Sequence, residues 1–281
     1  MTHSSLPRRP PGRRFLLISA LVGVLLLVLI VIGVALLSPF GHDSEATAPT
    51  SSASAIVPAA PADLSVLPES TTYATIGVAP LDPGPPAPTN GAVVHPRQQV
   101  PVFTAPGQPA FARVGPQEVG DTWLPVIAAQ PGWVQVLLPS RPNGSTGWLT
   151  VAGLDRAVSP YLVRVHLRSF SMELFKQGRL LDTWTIGTGM SSAPTPPGRT
   201  FMLGSFSDRK QKYSPVILPL GIHSPTLDSF GGGPGTVAIH TWPTADVFGT
   251  RSSDGCIRVP HDALAQLTEV PLGTLVLVDE Q

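Results

Sequence analysis

The sequence predicts a mainly β protein hung from one N-terminal membrane-spanning helix, and three observations lead there. Glycine and proline are abundant, 27 and 33 of 281 residues, against a usual combined share of roughly 12%. Beyond residue 90 the apolar residues come in short alternating runs punctuated by turn residues, the period-two pattern of half-buried strands. Near the start stands an apolar run of 23 residues, 15–37, interrupted only by Ser19 and two glycines. Charge adds little. The 18 basic and 18 acidic side chains cancel, so no global field points to nucleic acid or to an acidic polymer.

The first element is the anchor. As a helix, residues 15–38 span about 35 Å, enough to cross a hydrocarbon core of roughly 30 Å. Arg8, Arg9, Arg13 and Arg14 precede the run while His42, Asp43 and Glu45 follow it. The positive-inside rule then makes residues 1–14 a cytoplasmic tail and places everything after the anchor outside the cell membrane, on a single-pass protein. A cleaved signal peptide has an apolar region of only about 7–15 residues, so the anchor is read as uncleaved. Residues 39–91 turn to Ser, Thr, Ala and Pro and end in Asp82-Pro83-Gly84-Pro85-Pro86-Ala87-Pro88, a low-complexity spacer composition. Extended at about 3 Å per residue, such a spacer reaches up to about 150 Å from the membrane. The single cysteine rules out an intramolecular disulfide, so the exported part must hold by packing, and a lone exported thiol calls for a chemical reason.

Two folded modules follow. Over residues 92–155 the strands are read at Gln99-Val100-Pro101-Val102-Phe103, Thr122-Trp123-Leu124-Pro125-Val126, Trp133-Val134-Gln135-Val136-Leu137 and Gly147-Trp148-Leu149, with turns such as Arg141-Pro142-Asn143-Gly144 between them. The spacing suits a small all-β barrel. The Trp-x-x-Val strand and the closing Gly-Trp strand resemble a bacterial SH3-like domain. Its tryptophans are read as core, the alternative being a groove for a glycan or peptide. Over residues 160–281 the alternation continues through Leu162-Val163-Arg164-Val165-His166-Leu167, Met172-Glu173-Leu174-Phe175 and Leu181-Asp182-Thr183-Trp184-Thr185-Ile186, and ends in Thr274-Leu275-Val276-Leu277-Val278. One short helix is expected over 262–270, because Leu264, Leu267 and Val270 recur at helical spacing, Asp262 suits the N-terminus and Pro271 stops it.

The chemistry concentrates between Ile239-His240-Thr241-Trp242 and Ser252-Ser253-Asp254-Gly255-Cys256-Ile257-Arg258. A free thiol is only a few per cent thiolate at neutral pH, so a nucleophilic cysteine needs a base or cation nearby. His240, 16 positions before Cys256, suits a neighbouring strand joined by an excursion. Gly255 permits close backbone approach and leaves N–H groups to hold an oxyanion. By themselves, a cysteine and a histidine at this spacing read first as a buried thiol and a core imidazole. One cysteine and no His-x-x-x-His or Cys-x-x-Cys pattern give no support to a metal site, and no phosphate loop or other cofactor motif appears.

The stretch 161–279 as a whole resembles the YkuD-type L,D-transpeptidase family. That family's signature is a histidine, an interval of about fifteen residues, then Ser-His-Gly-Cys followed by an apolar residue and Arg or Asn. Ile186-Gly187-Thr188-Gly189, the Thr195-Pro196-Pro197-Gly198 turn, and Phe230-Gly231-Gly232 ahead of His240 stand here in the family's order. The resemblance implies a β-rich catalytic domain in which Cys256 attacks the bond between a peptidoglycan stem's diamino acid and its terminal D-alanine. His240 is then the base, oriented by the Thr241 carbonyl, with Gly255 and Cys256 amides as the oxyanion hole. Arg258, Ser253 and His223 become substrate contacts. For Arg258, recognition of a stem carboxylate competes with an ion pair that shapes the loop. Carbapenem-type β-lactams are implied as inhibitors and no cofactor is required. Asp254 departs from the pattern, standing where the family has a second histidine; an anion there raises a thiol pKa, unless it is a turn residue facing solvent. Three readings follow: a transpeptidase forming crosslinks, a carboxypeptidase using water, and a non-catalytic wall-binding module.

Overall fold

A computed structural model of the protein describes residues 55–84 and 87–281. The expected anchor at 15–38 lies outside the described residues, within which no helix is long and apolar enough to cross a membrane. The first module is built from β1 (Ala92–Pro96), β2 (Val100–Phe103), β3 (Ala110–Val114), the short pair β4 (Gln117–Glu118) and β5 (Gly120–Asp121), β6 (Leu124–Gln130), β7 (Trp133–Leu137), β8 (Thr146–Thr150) and β9 (Leu154–Val158). Seven of these form one antiparallel sheet in the order β3-β2-β8-β7-β6-β1-β9. Trp133 is buried at its centre, edge-on to Phe103 with ring centroids 5.2 Å apart, so this tryptophan is core.

The second module contributes β10 (Tyr161–His166), β11 (Ser171–Lys176), β12 (Arg179–Thr185), β13 (Thr188–Gly189), β14 (Gly198–Phe201), β15 (Leu218–His223), β16 (Thr236–His240), β17 (Arg251–Ser253), β18 (Ile257–Arg258), the helix α1 (His261–Leu267) and β19 (Leu275–Asp279). The described residues are thus mainly β with one short helix. α1 begins one residue before the expected start and ends three before the expected stop, after burying Ala263, Leu264 and Leu267. Five strands make a sheet in the order β12-β11-β10-β19-β14, and β15-β16-β18 make a second one that carries the site. β19 reads Leu-Val-Leu-Val because both its faces are covered, as continuous apolar strands require. Val276 and Val278 face the core of the second module, while Leu275 and Leu277 join the apolar cluster of the first, together with Phe201 and Leu203.

The stretch expected as an unfolded spacer is folded in its described part. Ser70 N–H donates to the Arg113 carbonyl at 2.8 Å, Ile76 N–H to that of Arg141 at 2.8 Å, and Thr146 N–H to that of Pro80 at 2.7 Å. Ile76 and Ala79 are buried in the first module's core, and Trp133 Nε1 donates to the Val57 carbonyl at 2.7 Å. Asp82 makes a two-pronged ion pair with Arg199 of β14. Composition misled here because these contacts use backbone groups and isolated apolar residues, which leave no periodicity to read.

His223, expected as a substrate contact, is instead a buried tie between this segment and β15. It is 1% exposed. Its Nε2–H donates to the Thr72 carbonyl at 2.8 Å, and Nδ1 is left without a partner. Burial, with a smaller push from the Arg141 charge and against the pull of the Thr72 carbonyl, holds its pKa down at about 4. The unfolded chain takes up this proton near pH 6.5, so the stability His223 contributes is complete above that pH and is lost as pH falls toward 4, on the order of 3 kcal/mol in all. Urea titrations at pH 7, 5.5 and 4 should show the midpoint falling, and His223→Gln should flatten that dependence. An equal acid sensitivity in the variant would assign it to other groups.

Candidate active site

β16 and β18 run parallel, with Ile239 beside Ile257 and His240 beside Arg258. The chain between them leaves the sheet through a single 3-10 turn at Ala245–Val247 and returns through β17. His240 and Cys256 thereby line one cleft of about 130 Å³, together with Tyr213, Trp242 and Arg258. A second cavity of about 310 Å³ reaches the same two side chains past Tyr73, Phe206 and Asp208. Cys256 is half-buried, and it is the chain's one thiol.

The imidazole of His240 is fixed from behind. Its Nδ1 lies 2.8 Å from the Thr241 carbonyl; a carbonyl only accepts, so Nδ1 carries the proton and Nε2 keeps a free lone pair. Thr241 is itself held, its N–H donating to Ser214 Oγ at 3.1 Å. Burial depresses the His240 pKa, the bond to Thr241 pulls the other way, and the Arg258 charge lowers it further. Burial also raises the Cys256 pKa; the Ala238 backbone amide and the Arg258 charge work against this, and Asp254 adds a small push upward. At neutral pH both groups are therefore uncharged, a neutral imidazole and a thiol sharing one cleft rather than a standing ion pair.

The turn before Cys256 is tightly braced. Gly255 sits at φ +112°, in the region only glycine adopts without strain. Its carbonyl accepts from Thr195 Oγ1 at 2.8 Å, while its N–H has only a long contact, 3.3 Å, to Ser253 Oγ. Ser253 is buried and donates to the Cys256 carbonyl at 2.5 Å, so it shapes the turn as well as lining the cleft. Asp254 is exposed to solvent. Arg258 has no carboxylate within ion-pair distance among the described residues. Its guanidinium lies 3.8 Å over the Trp242 ring, and Nη1 donates to the Ser252 carbonyl at 3.1 Å.

Sequence reasoning passed over three residues of this site. Tyr213 stacks obliquely on both His240 and Trp242, at 4.9 and 5.3 Å between ring centroids. Trp242 had a legible signal, since residues two apart on extended chain share a face and His240 is two before it. Tyr213 and Ser214 come from the irregular excursion between β14 and β15, where no pattern marks them. His166 lies apart, its Nδ1 2.9 Å from Asp279 Oδ1. No cluster of three or more His, Cys, Asp or Glu suited to a metal occurs among the described residues.

Residues 160–278, which include this cleft, match the family model YkuD, described as the L,D-transpeptidase catalytic domain. Among solved structures the chain is similar to Bd1075 of Bdellovibrio bacteriovorus, at 20% identity over 44% of this chain and 49% of that one, with a TM-score of 0.36. It is similar to an L,D-transpeptidase from Mycobacterium smegmatis, at 14% identity over 56% and 99%, TM-score 0.35. It is also similar to the catalytic domain of an L,D-transpeptidase from E. faecium, at 23% identity over 43% and 98%, TM-score 0.34. The chain spans about half the length of the Bdellovibrio protein. No curated protein matches it.

Proposed function

We propose, from the premise that residues 160–278 match the L,D-transpeptidase catalytic domain, that the protein is a cysteine acyltransferase forming crosslinks between peptidoglycan stems. The observation that carries this is the tautomer: the Thr241 carbonyl commits the Nδ1 proton of His240 and leaves Nε2 as a base in the cleft that holds the thiol. Nε2 takes the Cys256 proton as sulfur attacks the carbonyl between the stem's diamino acid and D-alanine. Backbone N–H groups at 255–256 receive the oxyanion, and the weak engagement of Gly255 N–H makes it available. Collapse breaks the C–N bond, His240 returns its proton to the departing D-alanine amine, and a thioester remains. An acceptor amine, deprotonated by His240, then attacks the thioester, forming the new amide and restoring the thiol. Arg258, with no carboxylate within ion-pair distance among the described residues, suits a carboxylate of the stem. In this reading the 15–38 segment anchors the protein with its N-terminus in the cytoplasm and the catalytic domain outside.

The deciding experiment incubates the protein with disaccharide-tetrapeptide. A crosslinked dimer supports the proposal, tripeptide alone shifts it to a carboxypeptidase, and unchanged substrate leaves a wall-binding module. Carbapenem acylation followed by intact mass tests the thiol separately, and the native chain should gain one adduct. Because Asp254 faces solvent, its charge is largely screened, and Asp254→His should change the acylation rate by no more than about threefold. A native chain that stays unmodified beside a readily acylated Asp254→His would mean that Asp254 disables the site.

A further inference from the structure

The loop 224–235, between β15 and β16, walls the cleft through Ser224, Leu227, Phe230 and Gly235. It does not hold itself in place. None of residues 224–234 is buried, and its internal ties are few: Ser224 N–H to the Gly235 carbonyl at 2.9 Å, a reciprocal backbone pair between Phe230 and Gly233, and three long contacts at Ser224 Oγ. Its outside ties come from the other module. Arg141, on the β7–β8 turn, donates through Nη2 to the carbonyls of Pro234 at 2.7 Å and Asp228 at 3.3 Å, and through Nη1 to that of Thr72 at 3.3 Å. Asn143, two residues on, grips the strand end from which the loop departs. Its Oδ1 accepts from His223 N–H and its Nδ2 donates to the His223 carbonyl, both at 2.8 Å. Thr72 is buried, and its carbonyl also receives the His223 ring.

We propose that Arg141 and Asn143 are positioning residues for the cleft: from the non-catalytic module they clamp the 224–235 wall where it meets the substrate. One planar guanidinium spanning three carbonyls is a geometry that lysine, a point charge on a flexible stem, does not reproduce. The freed carbonyls of Asp228 and Pro234 can turn to water, so losing the clamp loosens the loop locally without opening the core. The inference rests on the proposed function only where it invokes the stem. A wall formed for a smaller fraction of the time weakens apparent substrate affinity by that fraction and leaves the thiol and its base untouched.

In the full-length protein, Arg141→Ala should raise deuterium exchange of the 226–234 amides at least tenfold and KM for the tetrapeptide stem about tenfold. Alkylation of Cys256 by iodoacetamide should stay within about twofold, because it needs only the thiol and its base. Arg141→Lys should recover less than half of the KM loss, and Asn143→Asp, which removes a donor at nearly constant size, should also speed exchange in the loop. Unchanged exchange in Arg141→Ala overturns the proposal. So does faster exchange with KM unmoved, full rescue by lysine, or a parallel loss of alkylation and thermal midpoint, which would mark a general structural role. If the wild-type chain leaves the stem untouched, the transpeptidase reading fails, and loop exchange alone then decides the clamp.

Discussion

Under the proposed mechanism, replacement of Cys256 by alanine should lower stem turnover by roughly three orders of magnitude or more, since the acyl intermediate is built on its sulfur. The carbapenem mass adduct should vanish with it. The fold should survive: the side chain is half-buried, and exchanging a small thiol for a methyl costs about 1 kcal/mol or less, a few degrees in the thermal midpoint for a domain of this size. Thermal unfolding and intact-mass spectrometry on the same sample separate the two effects. Turnover or an adduct that persists in a folded variant would place the nucleophile elsewhere.

His240→Asn should cost about 10²- to 10⁴-fold in kcat/KM, the usual worth of a general base, and should change the shape of the pH profile. In the proposed mechanism His240 must be neutral to act, and burial holds its pKa below the ordinary value of 6.5. The acid limb should therefore fall only below pH 6.5, with a plateau above it. Without the base, the residual rate must come from thiolate, whose pKa burial pushes above its ordinary 9.0. That rate should keep rising through pH 9. A variant that retained the native plateau would show that another group takes the proton.

Legibility from the sequence followed periodicity and motif. The strands β10, β11 and β12 were readable because their alternation is sustained, β19 because it is one short unbroken apolar run, and the meeting of Cys256 and His240 in one cleft because they sit in a recognisable order of short motifs. The two-residue strands β13 and β18 carry no period at all; tertiary neighbours alone place them. Residues 55–84 were misread because a chain without regular structure can still be bonded along its length to strands it does not join. Three ties of the cleft were invisible for the same reason. Ser214 behind Thr241, and Arg141 and Asn143 behind the loop, act through backbone groups distant in sequence, and a residue type says nothing of which carbonyl it will meet.

β19 carries a consequence for how the molecule comes apart. Its leucines are floor to the first module and its valines are floor to the second, so the break in sequence pattern near residues 155–160 is not a seam in cooperativity. Two-state behaviour follows shared burial rather than module count. A chain cut to begin at residue 160 would bare Phe201, Leu203, Leu275 and Leu277 on one face, an invitation to self-association. The unit that melts, and the unit that could be transplanted into another protein, begins upstream of the segment that holds the cleft.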